Sequence, residues 1–310
     1  MWHLEEPSQE TLDWFKNQFL DDMCNSIRIN LCKDVLDVLL PNDSQEIIET
    51  LMIESPATLY AHNNELEDDL KAKGLWTAEN KDKLFKAFDY DGRISSNKEN
   101  SYELSKHISR NTCVYCNRIY AFNVIDQSNG RKITRPDFDH WLAKAEHPLL
   151  SMSFYNLIPS CPVCNRSIKH LREFKYGTHL HPYINASETN FRFRYIPLPN
   201  NNWDVIMDGC TPEERATAQI FETEQVYKVH GNMEVKDMVD FAYRNTPQYL
   251  DDLYQHVMKA YGGNISPAEA YKVITGTDCT PEKFLDRPLA KLKRDIALQL
   301  QETLGIKILP

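Results

Sequence analysis

No stretch of this 310-residue chain approaches the roughly 18 consecutive apolar residues that a membrane-spanning helix needs, so a helical membrane span is excluded. The start, Met1 to Glu10, is polar and acidic and has no apolar segment of the kind that marks an export signal. Internal repeats and low-complexity tracts are also missing. Cysteine is present, eight residues in all, but too sparsely for a disulfide-stapled secreted scaffold, and a chain this long can bury a core without staples. These absences predict a soluble, unexported protein of the reducing cytoplasm, with one large or two modest domains.

What is there is concentrated in the middle of the chain. Four of the cysteines form two Cys-X-X-Cys pairs, Cys113/Cys116 and Cys161/Cys164, while Cys24, Cys32, Cys210 and Cys279 are scattered and read as small buried apolar residues. Thiolates are soft ligands suited to tetrahedral zinc, and four of them leave no position open for chemistry. A zinc ion held here is therefore structural. Between the pairs lie Asp139-His140 and Asn156, and Asn165 follows the second pair directly.

Charge is unevenly distributed. Residues 1 to 104 carry 10 basic and 22 acidic side chains, residues 105 to 182 carry 11 and 5, and residues 183 to 310 carry 14 and 18. A net charge of -10 argues against a polyanionic partner, yet the cysteine-bearing segment is locally basic, which phosphate contact requires. Lys144, Arg166, Lys169 and Arg172 are the candidate phosphate contacts, with Lys169 one helical turn beyond Asn165. A solvated basic face is the alternative.

Periodicity gives an α+β chain that is predominantly helical. Residues 1 to 104 form an acidic helical region, with helices ending before Pro41-Asn42 and running over Ser44 to Ile53, Pro56 to Lys73 and Thr77 to Phe88, then a polar loop from Asp89 to Lys98. Residues 105 to 183 hold two β-prone pieces, Ile119 to Val124 and Lys132 to Phe138, across Ser128-Asn129-Gly130. That hairpin brings Asp139-His140 back beside the first cysteine pair, and a helix follows from Arg166 to Lys175, with Leu171 on it and Gly177 at its end. Residues 184 to 310 contain a short hairpin, Phe191 to Ile196 with Trp203 to Met207, and helices over Thr211 to His230, Val235 to Tyr261, Ser266 to Ile274 and Thr280 to Leu304.

Phosphodiester cleavage needs an activated water, stabilised oxyanion charge and fixed geometry. Asp139 and the side-chain oxygen of Asn165 form a minimal oxygen pair for Mg²⁺ or Mn²⁺, which keep several waters and use few protein ligands. His140 belongs to the residue type that takes a proton from water near neutrality, and is the candidate general base. His170 is a reserve third ligand. Asn165, just ahead of the Arg166 helix, has helix capping as its alternative role.

In Asp139-His140, in Asn156-Leu157-Ile158-Pro159 and in Cys164-Asn165-Arg166-Ser167-Ile168-Lys169, the chain resembles the HNH (ββα-metal) endonucleases over residues 110 to 183. The resemblance implies a ββα core clamped by the four cysteines and flanked by helical regions, with His140 as base, Asp139 and Asn165 on the divalent metal, and Asn156 orienting His140 and its loop. A narrower resemblance, carried by residues 112 to 118, 148 to 150, 153 to 161 and His181-Pro182-Tyr183, is to the HNH proteins of Septu and retron-linked anti-phage systems, which work beside an ATPase partner. Ala143 departs from those relatives, which have proline there. The implied activity is metal-dependent cleavage of nucleic acid, with DNA favoured and RNA open. The reading from another class is a zinc-stabilised nucleic-acid-binding or adaptor module without catalysis.

Overall fold

The computed structural model describes residues 2–108, 110–170, 172–184, 189–263 and 266–305. The N-terminal third is helical, as its periodicity predicts. Gln9–Asn30 opens on Ser8, whose hydroxyl accepts from the Thr11 N–H, and buries Phe15, Phe19, Met23 and Ile27 at four-residue spacing. It packs on Glu46–Ile53 and Ala78–Phe88. Pro56–Ala72 and Lys98–His107 complete the layer. The segment from Asp89 to Lys98, expected to be a loop, instead contains a helical turn, Asp91–Ser95, pinned by the buried Ile94. Among the described residues no helix is long and apolar enough to cross a membrane.

The centre holds two strand pairs. β1 (Val124–Ile125) pairs antiparallel with β2 (Lys132–Thr134) across a turn in which Gly130 has a φ of 72°. This hairpin is shorter than expected. Ile119 to Asn123 is irregular apart from one bridge between Thr112 and Tyr120, and β2 stops before Pro136, which has no N–H to extend the ladder. Beyond Pro136 the chain starts β3 (Asp137–His140), which pairs with β4 (Leu157–Ser160), placing Asp139 opposite Ile158 and His140 opposite Leu157. A helical turn, Val163–Lys169, follows at once.

That turn is wider and shorter than the expected Arg166 to Lys175 helix. The His170 N–H donates to the Asn165 carbonyl, five residues back, and His170 then breaks the helix at φ 39°, ψ −104°. Gly177 lies in a separate turn, and Leu171 lies outside the described residues.

The C-terminal third begins with a hairpin of two seven-residue strands, β5 (Arg192–Leu198) with β6 (Asn202–Asp208), turning through Asn200 and Asn201 at positive φ. Three of the four long helices expected here are broken. Glu222, at φ 49°, separates Pro212–Ile220 from Thr223–Lys228. Thr246-Pro247 separates Lys236–Arg244 from Pro247–Ala260, because proline forces its predecessor into extended backbone. Leu289, following Pro288, separates Pro281–Asp286 from Ala290–Leu304. Pro267–Thr275 forms as expected.

A small apolar cluster forms around Tyr271 and Ala297, and the main one runs from Trp2 to Leu300 through all three regions. Its polar counterpart is Asn117, buried beside the first cysteine pair at φ 48°. The Asn117 amide donates to the Thr112 hydroxyl and to the carbonyls of Phe284 and Arg287, and its oxygen accepts from the Ala290 N–H. The cysteine segment is thereby tied to the C-terminal helices. The N-terminal strap adds a hydrogen bond from the Trp2 N–H to the Val114 carbonyl.

Candidate functional site

The two cysteine pairs meet. The sulfurs of Cys113, Cys116, Cys161 and Cys164 lie within 4.8 Å of one another, and all four residues are buried. Each pair is a knuckle in which a backbone N–H points at the leading or trailing sulfur: Arg118 to Cys116 and Cys164 to Cys161, both at 3.4 Å. Burial pushes the Cys113 thiol well up, so four thiolates in such contact need a cation among them to be charged together. Donor type, number and spacing fit a tetrahedral zinc ion. Of the scattered cysteines only Cys24 is buried. Cys32 is exposed, at the start of a surface helix, and Cys210 and Cys279 are half-buried, so the expectation of four buried thiols is corrected.

Asp139 and His140, at the end of β3, reach an open cleft of about 600 Å³ that also meets Asp137, Lys144, Asn165, Arg166, Lys169 and His170. Seven of the side chains singled out from the sequence thus share one space. The His140 ring is buried, edge-on to Tyr90 with centroids 4.4 Å apart. Its Nε2 lies 2.9 Å from the Ser151 carbonyl oxygen. A carbonyl only accepts, so Nε2 carries the proton and Nδ1 the lone pair. Burial, with Lys144 and Lys169 nearby, lowers His140 to about 3 and keeps the ring neutral.

Asp139 is buried, and its Oδ2 accepts from the Tyr115 hydroxyl at 2.5 Å and from Lys169 Nζ at 2.7 Å. Desolvation pushes its carboxyl above the ordinary value, and Asp137 adds to this against the opposing pull of Lys169 and Tyr115. Asn165 is inside the helical turn rather than at its cap, and its amide reaches Asp137 at 3.4 Å. Among the described residues, the four cysteines are the one place where three or more His, Cys, Asp or Glu donors gather. A hard cation in the cleft would therefore have no more than two of these side chains as ligands, with water completing its shell.

Asn156 is fully buried between β3 and β4. Its oxygen accepts from the Leu142 N–H at 2.8 Å, and its amide donates to the carbonyls of Leu142 and Leu150. It closes the loop that carries Ser151, and through Ser151 it bears on His140.

Each of the basic side chains has a partner within the chain, although Lys169 alone is buried. Lys144 straddles both Asp91 oxygens at 2.7 and 2.8 Å, and Arg166 forms a two-pronged pair with Asp137 at 2.8 and 2.9 Å. Arg172 lies away from the cleft, donating to the Ile220 carbonyl and to Glu222. Lys169 departs most from expectation. It is not a surface phosphate contact on the Asn165 face, because the Asp139 carboxylate draws it inward until its side chain is 4% exposed.

Three participants were not picked out from the sequence. Asp137 shares a strand face with Asp139, and the two-residue period of Asp137-Phe138-Asp139 was the available signal. Tyr115 and Asp91 reach the site through tertiary packing, which no local pattern reports. No family model, curated protein or solved structure matches this chain.

Proposed function

We propose that this protein is an HNH-type endonuclease that hydrolyses phosphodiester bonds in nucleic acid, DNA in preference to RNA, from the cleft beside Asp139 and His140. The observation that carries the reading is the state of His140: a neutral imidazole with Nε2–H fixed by the Ser151 carbonyl, Nδ1 left to accept, and an open cleft alongside. The order β3, β4, helical turn, with the second cysteine pair at the junction of β4 and the turn and the first pair brought against it, adds support.

In the proposed reaction a water oxygen attacks phosphorus and its proton passes to His140 Nδ1. The bond to the leaving sugar oxygen breaks, and that oxygen takes a proton from solvent. A histidine lowered to about 3 is a weak base in the free protein. The scissile phosphate carries negative charge, which offsets Lys144 and Lys169 and raises the proton affinity of the ring as substrate enters. Asp139 and Asn165 would hold a Mg²⁺ or Mn²⁺ ion whose charge stabilises the non-bridging and leaving oxygens. Asn156 holds the Ser151 loop and so keeps the ring in its tautomer.

The test is incubation of the zinc-loaded chain with linear duplex DNA and with single-stranded RNA at low ionic strength, where phosphate contact is strongest. Cleavage that requires Mg²⁺ or Mn²⁺ and stops on its removal supports the reading. Binding without cleavage under every condition favours the zinc-stabilised binding module instead.

A further inference from the structure

Lys169 is placed where a basic residue of a phosphate-binding helix is not expected. Its Nζ donates to Asp139 Oδ2 at 2.7 Å and to the His140 carbonyl at 2.5 Å, and it sits 5.2 Å from the centre of the Phe174 ring. Both partners of the ion pair are almost wholly shielded, at 4% and 8% exposure. Lysine ordinarily keeps its ammonium in water and buries only its stem. Here Lys169 ends the widened turn from Val163, just before the break at His170, and its ammonium lies inward against Asp139. The same Asp139 oxygen also accepts from Tyr115, so its lone pairs are taken by two donors.

We infer that Lys169 is a built-in counter-cation that occupies the cation position at Asp139 and holds this site in a low-affinity state until the lysine is displaced. The inference rests on the reading of Asp139 as a metal ligand. An ammonium on a carboxylate oxygen neutralises the charge that attracts a divalent ion, and it repels any ion bound to the other oxygen. Water screens a surface pair of this kind, but this pair is screened little. The long, flexible stem of Lys169, which lines the cleft, allows the ammonium to withdraw without unfolding its turn.

The experiment is Mn²⁺ titration of the full zinc-loaded chain, followed through loss of the free-ion paramagnetic resonance signal, for wild type, Lys169→Gln, Asp139→Asn and the double variant. Gln keeps N–H donors for Asp139 and the His140 carbonyl but has no charge. Lys169→Gln is expected to bind Mn²⁺ at least tenfold more tightly than wild type, with the gain abolished in the double variant. Equal affinity in wild type and Lys169→Gln overturns the inference and leaves the metal reading standing. Binding by neither form overturns the metal reading itself, and the inference with it. Should Lys169→Gln fail to fold, Lys169→Arg keeps the charge and must bind no more tightly than wild type. Tighter binding by the Arg variant overturns the inference.

Discussion

At the scale of single residues, the site depends on buried polar groups whose partners are all internal. Asn156 fills three hydrogen bonds at the ends of the Ser151 loop. Its replacement by Ala leaves buried backbone groups unpaired and is expected to cost about 2–4 kcal/mol. A thermal melt should show a clearly lowered midpoint, and nuclease assays a lowered kcat with little change in KM; unchanged melting would remove Asn156 from this role. His181 provides a pH signature away from the cleft. It is buried against Trp141, its Nε2 lies 2.9 Å from the Tyr60 hydroxyl, and burial lowers it to about 3. Between the ordinary histidine value near 6.5 and that lowered value, the unfolded chain takes up a proton that the folded chain refuses. Stability from this group is therefore complete above about pH 6.5 and is lost as pH falls toward 3, by on the order of a few kcal/mol. His181→Gln should flatten the acid limb of midpoint against pH, and an identical slope in the variant would contradict the assignment. That Asp139, His140 and Asn165 share one cleft is legible in the sequence, because their motif and spacing group them. The partners Tyr115 and Asp91 are not, since both arrive through folding of distant segments.

At the scale of elements, the cysteine quartet joins two segments that a backbone hydrogen bond, from the Val114 N–H to the Pro159 carbonyl at 3.4 Å, also links. Cys113 and Cys116 sit in irregular backbone before β1, Cys161 directly after β4, and Cys164 in the first residues of the helical turn. A zinc ion bound here would add its binding free energy to folding, since the pairs are far apart in an unfolded chain. Cys161→Ser is expected to lose zinc and cooperative unfolding together; a variant that melts like wild type without bound zinc would show that the quartet is not a clamp. The N-terminal helices were readable because their apolar spacing and caps act within a few residues, as at Ser8 and Thr77. The pairing of β3 with β4 was not, because its two strands are separated by the loop that Asn156 closes. The single long C-terminal helices were over-read: Thr246-Pro247 and Pro288-Leu289 carried the break signals, and the apolar period masked them.

At the scale of the whole molecule, the regional charge pattern is converted into internal pairing. The basic central segment meets acidic partners across the cleft, with Lys144 on Asp91 of the N-terminal region. Phosphate must compete with these carboxylates, so the chain alone is expected to bind nucleic acid weakly. Asp91→Asn, which frees Lys144 of its partner's charge, should tighten DNA binding several-fold at low salt, with the gain shrinking as salt rises; unchanged affinity would mean that Lys144 does not face the substrate. We propose that the acidic outer regions meet a protein partner, an ATPase subunit of an anti-phage system. In the proposed division of labour the cysteines build the site and His140 performs its chemistry, so zinc content and Mg²⁺-dependent cleavage measured on one preparation of His140→Ala separate the two. The expected result is one zinc per chain, an unchanged fold and cleavage reduced on the order of 10²–10⁴-fold. Full zinc content with cleavage equal to that of wild type would contradict it.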